Sequence, residues 1–130
     1  MNRIYGNESE CRLEQFFLDT YNAKKTIGKY DLFDFESETT LIELKTRRNF
    51  HNTYFDTMIG ANKVEEGCRQ LNKKIKEKVL FYFQFTDGLF YYELKEDFVL
   101  RRDYYRGKAY YFIPVELLKG QTNTISDPFR

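Results

Sequence analysis

The sequence contains no tryptophan, one histidine, two cysteines and two prolines in 130 residues. Each scarcity excludes something. His51 has no second histidine to work with, and Cys11 and Cys68 lack metal-type spacing, so the residues offer no zinc-type ligand cluster. Two distant cysteines are also too few for the disulfide framework of a small secreted domain, and a reduced, intracellular setting (cytoplasm or nucleus) is expected. No N-terminal stretch reads as a signal peptide. No run approaches the roughly 18 apolar residues of a membrane-spanning helix, so no membrane partner is expected. A Gly-rich phosphate loop is missing, which disfavours nucleotide hydrolysis of that type. Net charge is scarce too: 21 Lys and Arg against 20 Asp and Glu leave +1. Whole-molecule electrostatics therefore do not announce a nucleic-acid binder, and local patches must carry any such argument.

What the chain has in quantity is aromatic rings, 13 Phe and 11 Tyr. With 42% apolar and 32% charged residues it can build one core under a polar surface. Its length suits a single domain, read as residues 1–120 with a C-terminal tail over 121–130. Leu13, Phe16, Phe17 and Tyr21 fall at helical spacing, with Asn7 as the N-cap and Glu10 closing a capping box. Short period-two stretches follow. They predict strands at Lys24 to Ile27, Tyr30 to Glu36 and Thr40 to Lys45, the last two joined by the loop Ser37-Glu38-Thr39 as antiparallel neighbours. Phe50 to Tyr54 reads as a loop. From about Phe55 to Lys78 the stripe Val64, Cys68, Leu71, Ile75 predicts a helix, with Cys68 in the core. Val79 to Phe83 is a continuous apolar run, as in a strand covered on both faces. Leu89 to Lys95 and Tyr110 to Val115 read as further strands. A strand, a crossover helix and a buried strand imply a parallel pair, hence an α/β (α+β) chain with helices packed on a mixed β-sheet.

One constellation carries chemistry. Glu43 and Lys45, at i and i+2 on one strand, share a face, and Asp31 or Asp34 on the neighbouring strand brings a second acid within reach. Two carboxylates held together repel unless something positive lies between them. Mg²⁺ is a common solution, and an added lysine suits the site to phosphodiester hydrolysis. The triplet alone is weak: 20 acids and 12 lysines yield about two acid-x-Lys triplets by chance. The second, Glu93-Leu94-Lys95, serves as an internal control, because its upstream acid Asp87 belongs to a turn. Regular pairing across an even loop places Asp34 opposite Glu43, with Phe33 and Phe35 sharing the inner face with Ile42 and Leu44. A bulge in the first of these strands would turn Asp31 outward instead.

The stretch KYDLFDFESETTLIELKTR, residues 29–47, resembles the PD-(D/E)XK nuclease superfamily, in which an acid on one strand precedes Glu-x-Lys on the next. Tyr30 replaces the proline of the family's name. The resemblance implies a restriction-endonuclease-like core in the order αβββαβ, which residues 8 to about 85 follow. It implies DNA as the partner and Mg²⁺, with Mn²⁺ as a substitute, held by Asp31, Glu43 and the carbonyl of Leu44. Lys45 would position the attacking water, and a glutamate of the first helix, Glu10 or Glu14, would assist. Between the two aspartates the resemblance points to Asp31. A chain this short looks like the junction-resolving and repair members, which often pair as homodimers. The resulting expectation is a metal-dependent endo- or exonuclease acting on DNA. Its alternative is a non-catalytic nucleic-acid-binding module on the same fold.

Further contacts to the nucleic-acid backbone are expected from Arg47 and Arg48, next to the triplet, from Lys63 on the crossover helix, and from Arg101 and Arg102 in a stretch interleaved with tyrosines. The plainer reading of that stretch is a loop of mixed charge. Lys73 to Lys78 reads as cations at a helix C-terminus, and His51 as a surface or hydrogen-bonded histidine.

Overall fold

Alternation along two central strands sends their apolar side chains to both faces of one sheet, and each face is covered by a different layer. A computed structural model describes residues 2–28 and 32–121, with side chains from residue 12 onward. The elements are α1 (Asn2–Tyr21), β1 (Lys24–Lys25), β2 (Phe35–Glu36), β3 (Thr40–Thr46), β4 (Asp56–Gly60), α2 (Ala61–Asn72), β5 (Lys78–Phe85), β6 (Gly88–Glu93), β7 (Arg101–Tyr105), β8 (Lys108–Pro114), a 3₁₀ turn (Val115–Leu117) and β9 (Lys119–Gly120). The chain is thus mixed α/β. A six-stranded sheet runs β1-β2-β3-β5-β6-β9 and a three-stranded one β4-β8-β7. All pairings are antiparallel except β3 with β5, in register Glu43 with Phe81 and Lys45 with Phe83.

On one face Leu13, Phe16 and Phe17 of α1 pack against Phe35, Ile42, Leu80 and Tyr82. On the other, Leu41, Val79, Phe81 and Phe83 meet Val64 of α2, Ile59 of β4 and Ile113 of β8. Burying a ring such as Phe17 or Phe81, both fully enclosed, is worth about 1.5–3 kcal/mol. The buried strand Val79 to Phe83 is therefore as the sequence predicts. Among the described residues no helix is long and apolar enough to cross a membrane.

Several boundaries differ from the sequence expectation. α1 begins at Asn2, so Asn7 lies inside it and is not its cap. It stops at Asn22, whose left-handed φ of 57° lets its N–H donate to the Leu18 carbonyl (2.9 Å). The long helix expected from Phe55 is a strand followed by a shorter helix: Thr57 and Ile59 alternate inward along β4, and α2 begins only after Gly60. β4 does not join the main sheet but opens a second one. The stretch read as a mixed-charge loop is strand β7, joined to β8 by a turn at Arg106 (φ 51°) and Gly107 (φ 82°). Gln121, assigned to the tail, is tied to the fold through its N–H on the Leu89 carbonyl (2.8 Å) and its Oε1 on the Tyr82 hydroxyl (2.9 Å).

Lys76 is a further correction. It is not a cation at a helix end but a buried lysine beyond α2, donating to the Ser37 and Glu38 carbonyls and pairing with Glu36 at 2.9 Å. It thereby holds the β2–β3 turn that positions the site.

α2 ends in a Schellman motif: Lys74 N–H reaches Leu71 O, Ile75 N–H reaches Gln70 O, and Lys74 takes φ 59°. Gly67 lets the helix approach the sheet, since a Cβ there would lie 2.9 Å from Val79 Cγ1 and 3.1 Å from Leu94 Cδ2. Opposite outcomes follow for two small substitutions, read by urea denaturation. Gly67→Ala should cost about 1–3 kcal/mol through overpacking. Lys74→Gly should add about 1 kcal/mol by relieving the left-handed residue.

Candidate active site

Alternation along β3 turns Leu41, Glu43 and Lys45 toward α2, while Ile42 and Leu44 face α1. Leu41 packs in the core and Glu43 comes next on that face, only 2% exposed. A carboxylate so placed needs partners. Lys45 Nζ lies 3.1 Å from its Oε2, and Lys63 Nζ, from α2, lies 3.4 Å from its Oε1. Lys63 also donates to the Leu32 carbonyl. Despite the nearby ammonium, Oε1 of Glu43 accepts no hydrogen bond. It is a buried oxygen held by charge attraction without a hydrogen bond.

The second acid comes from the end of β2. The register pairs Phe35 with Ile42 and runs no further, and the Asp34 N–H donates to that same Ile42's carbonyl (3.0 Å). The ladder is broken there, in the manner of a bulge. Its consequence is visible in the core. Phe35 packs toward α1 and Phe33 toward α2, instead of both sharing the inner face as regular alternation predicts. β3 outruns its short neighbour, and the Asp34 carboxylate accepts the Leu44 N–H (2.8 Å) in place of a backbone carbonyl. Asp34 is thereby fixed beside Glu43.

Burial, and then the Asp34 charge, push the Glu43 carboxyl above its usual range; Lys45 and Lys63 pull it back only in part. The two lysines therefore do not fully offset desolvation and the Asp34 charge together. The sequence reading puts Lys63 on the crossover helix as a phosphate contact, and the structure pairs it directly with Glu43. A signal existed. Lys63 sits in the first turn of α2, where a cation opposes the helix dipole unless an anion holds it.

The remaining candidates are spread out. Asp31 lies outside the described residues. Glu10 lies on α1, but its side chain is outside them as well. Glu14 pairs with Lys25 at 3.5 Å. Leu44 stands between Glu43 and Lys45, its side chain packed toward α1. Arg47 is committed to the fold: it donates to the Met58 carbonyl (2.8 Å) and Thr57 Oγ1 (3.4 Å) and covers the Phe83 ring. It ties β3 to β4. Arg48 is exposed. From exposed β7, Arg101 pairs with Asp103 of the same strand (2.9 Å) and Asp56 of β4 (3.7 Å), and Arg102 with Glu65 of α2 (3.0 Å). His51 bonds Asp87 (2.6 Å) and stacks on Phe90. In the control triplet Glu93 and Lys95 also pair, at 3.0 Å, but Lys95 is largely exposed and no second acid joins them in that pairing.

Among the described residues no three acidic, histidine or cysteine side chains stand together as a metal cluster. Two carboxylates do lie near enough to influence one another electrostatically, one with an unbonded buried oxygen. Mg²⁺ requires no more from a protein, since water and phosphate oxygens complete its shell. The donor set fits a hard, oxygen-loving cation. No protein-family model, curated protein or solved structure matches the chain, so function must be read from this geometry.

The raised Glu43 pKa has a sign. Such an acid favours folding while protonated, and that contribution is lost as pH rises from the ordinary carboxylate range through the raised value. Glu43→Gln mimics the protonated form at every pH. Urea melts should therefore show similar stability for the two proteins at about pH 3–4 and a Gln variant that pulls ahead by pH 7. A gap of opposite sign would mean that the lysines outweigh desolvation.

Proposed function

We propose that the chain is a metal-dependent nuclease of the PD-(D/E)XK kind, hydrolysing phosphodiester bonds in DNA. The observation that carries this reading is the buried Glu43, flanked by Lys45 and Lys63 and faced by Asp34 from the adjoining strand. The order α1, three strands, α2 and a parallel β5 supports it, with β4 as an insertion before α2.

In this reading Asp34 and Glu43, with the Leu44 carbonyl, hold Mg²⁺ or Mn²⁺. A cation so bound polarises a phosphate oxygen and lowers the pKa of a coordinated water. Asp34 and Glu43 set where positive charge concentrates. Lys45, partly exposed on the same face, offers its ammonium to the attacking water and to charge developing on phosphate. Lys63, anchored by Leu32, adds a fixed positive charge from the opposite side of Glu43. Arg101 and Arg102 contribute from the exposed strand, where their surface ion pairs are weak enough for phosphate to compete. One observation favours the alternative, a DNA-binding module without turnover: both lysines already close on Glu43, so its charge has partners without any ion.

The decisive assay incubates the protein with labelled duplex, single-stranded, flap and four-way DNA in Mg²⁺, Mn²⁺ or EDTA. Cleavage should require either metal and stop in EDTA. Cutting in EDTA would remove the metal from the proposal, and binding without cutting in any metal would leave the module.

Mutation divides the triplets. Lys45→Ala should lower turnover at least about a hundredfold, roughly 2.7 kcal/mol of transition-state stabilisation, while Lys95→Ala should be nearly silent. Glu43→Gln and Asp34→Asn should abolish cleavage and retain DNA affinity, because each also removes a charge that repels phosphate. An active Asp34→Asn beside a dead Asp31→Asn would return the ligand to Asp31.

A further inference from the structure

Residues 47–55, between β3 and β4, begin two positions after Lys45 and present an inverted surface. Phe50, Tyr54 and Phe55 are 59%, 66% and 73% exposed, whereas the exposed rings Tyr104 and Tyr105 lie apart from them in sequence on β7. A slack loop would account for this cheaply, but the segment is fastened along its length. Arg47 N–H donates to Gln84 O (2.8 Å), Thr86 N–H to Asn49 O (3.1 Å), Thr53 N–H to Phe50 O (3.1 Å) and Val115 N–H to Phe55 O (2.9 Å). His51 is clamped by Asp87 through both its backbone N–H (2.9 Å) and its ring, which stacks on Phe90 with centroids 4.3 Å apart. The loop therefore turns its one histidine inward and holds three rings outward on a fixed frame. Hydrophobic burial works against that arrangement unless the rings have an occupant.

Charge identifies the occupant. Residues 47–55 include Arg47, Arg48 and His51 and no carboxylate. Two acids at the border are engaged, Asp87 with His51 and Asp56 with Arg101, and Glu116, next to the Val115 that bonds Phe55, is exposed. Exposed rings, an exposed Arg48 and no anion within the loop itself suit a polyanion with flat apolar faces. Bases stacked inside a duplex cannot offer those faces, whereas unpaired bases can. The geometry points to the Phe50–Tyr54–Phe55 loop as a stacking platform for unpaired bases, which makes single-stranded or branched DNA the substrate class. The choice of substrate rests on the nuclease reading, while the base-binding step stands without it.

The test uses the whole chain in EDTA, which separates binding from cleavage, and a single-stranded oligonucleotide carrying 2-aminopurine, whose fluorescence is quenched on stacking. Wild type should quench the probe and bind single strands at least about tenfold tighter than a duplex of equal length at the same salt. Phe50→Ala/Tyr54→Ala/Phe55→Ala should lose the quenching and at least about tenfold in single-strand affinity, with an unchanged melting temperature because the rings are exposed. Phe50→Tyr/Phe55→Tyr should retain both. Equal affinity of wild type for the two DNA forms, or unchanged quenching in the triple variant, overturns the platform. So does a triple variant that loses self-association in sedimentation while its DNA binding is untouched, which would make the rings a contact between copies. Ring-dependent binding without cleavage in any metal keeps the platform and removes the nuclease. Duplex cleavage unaffected by the triple variant does the reverse.

Discussion

The parallel pairing of β3 with β5 governs the rest of the molecule. Antiparallel neighbours can be joined by a few residues, but a parallel strand must be reached by a crossover, and residues between Thr46 and Lys78 supply it. That crossover carries α2 over one face of the sheet and so places Lys63 beside Glu43. It also sets Phe81 and Phe83 next to Glu43 and Lys45 in the adjacent strand, so the charged pair borders an aromatic floor. Low polarity strengthens every charge interaction there and makes an unpaired one expensive. The elevated Glu43 pKa is the visible result of that conflict.

The strands at the centre were legible because their signals are local. A continuous apolar run marks β5, whose two faces are both covered, and period-two alternation marks β3. The region around α2 was not, because two periods overlap in it. Val64, Cys68 and Leu71 form a helical stripe strong enough to hide the short alternation Thr57, Met58, Ile59, although Gly60 separates the two. Ile75 fits the stripe by spacing but lies past the left-handed Lys74, half exposed. β7 was hidden for a different reason. All five of its residues are exposed, so it lacks the apolar alternation that betrays a half-buried strand, and only the Arg106-Gly107 turn could have revealed its pairing with β8.

Within the site, Glu43 and Lys45 were readable from spacing alone, since i and i+2 share a face wherever the strand is regular. The partner acid was not, because the answer depends on one departure from regularity. Even-loop pairing predicts Asp34 across from Glu43, but the register stops at Phe35 with Ile42, and the Leu44 N–H bond to its carboxylate is what holds Asp34 near Glu43. The same rule puts Phe33 with Phe35, and there the irregular bond from the Asp34 N–H to the Ile42 carbonyl marks the break that sends them to opposite faces. Arg47 and Lys76 show the reverse error. Both look like solvated or ligand-seeking cations in sequence, yet each spends its donors on backbone carbonyls left open where a strand ends or a hairpin turns. Long basic side chains are well suited to such gaps, so a cation near a motif is weak evidence of a ligand.

The two Glu-x-Lys triplets make the same point about chemistry. Each forms an ion pair of nearly equal length, 3.1 Å for Lys45 with Glu43 and 3.0 Å for Lys95 with Glu93. They differ in what surrounds them. Glu93 ends β6, the second strand from the sheet's edge, and water screens its pair. Glu43 lies on a central strand, closed over by α2 and faced by Asp34, where the same pair acts through a poorly screened medium. The electrostatic character of a Glu-x-Lys pair is thus a property of burial and neighbours, not of the triplet. It follows that moving the triplet to an edge strand would preserve the motif and lose the site, whereas a change such as loss of Lys63 would preserve the motif and alter the charge balance on Glu43 that any such chemistry depends on.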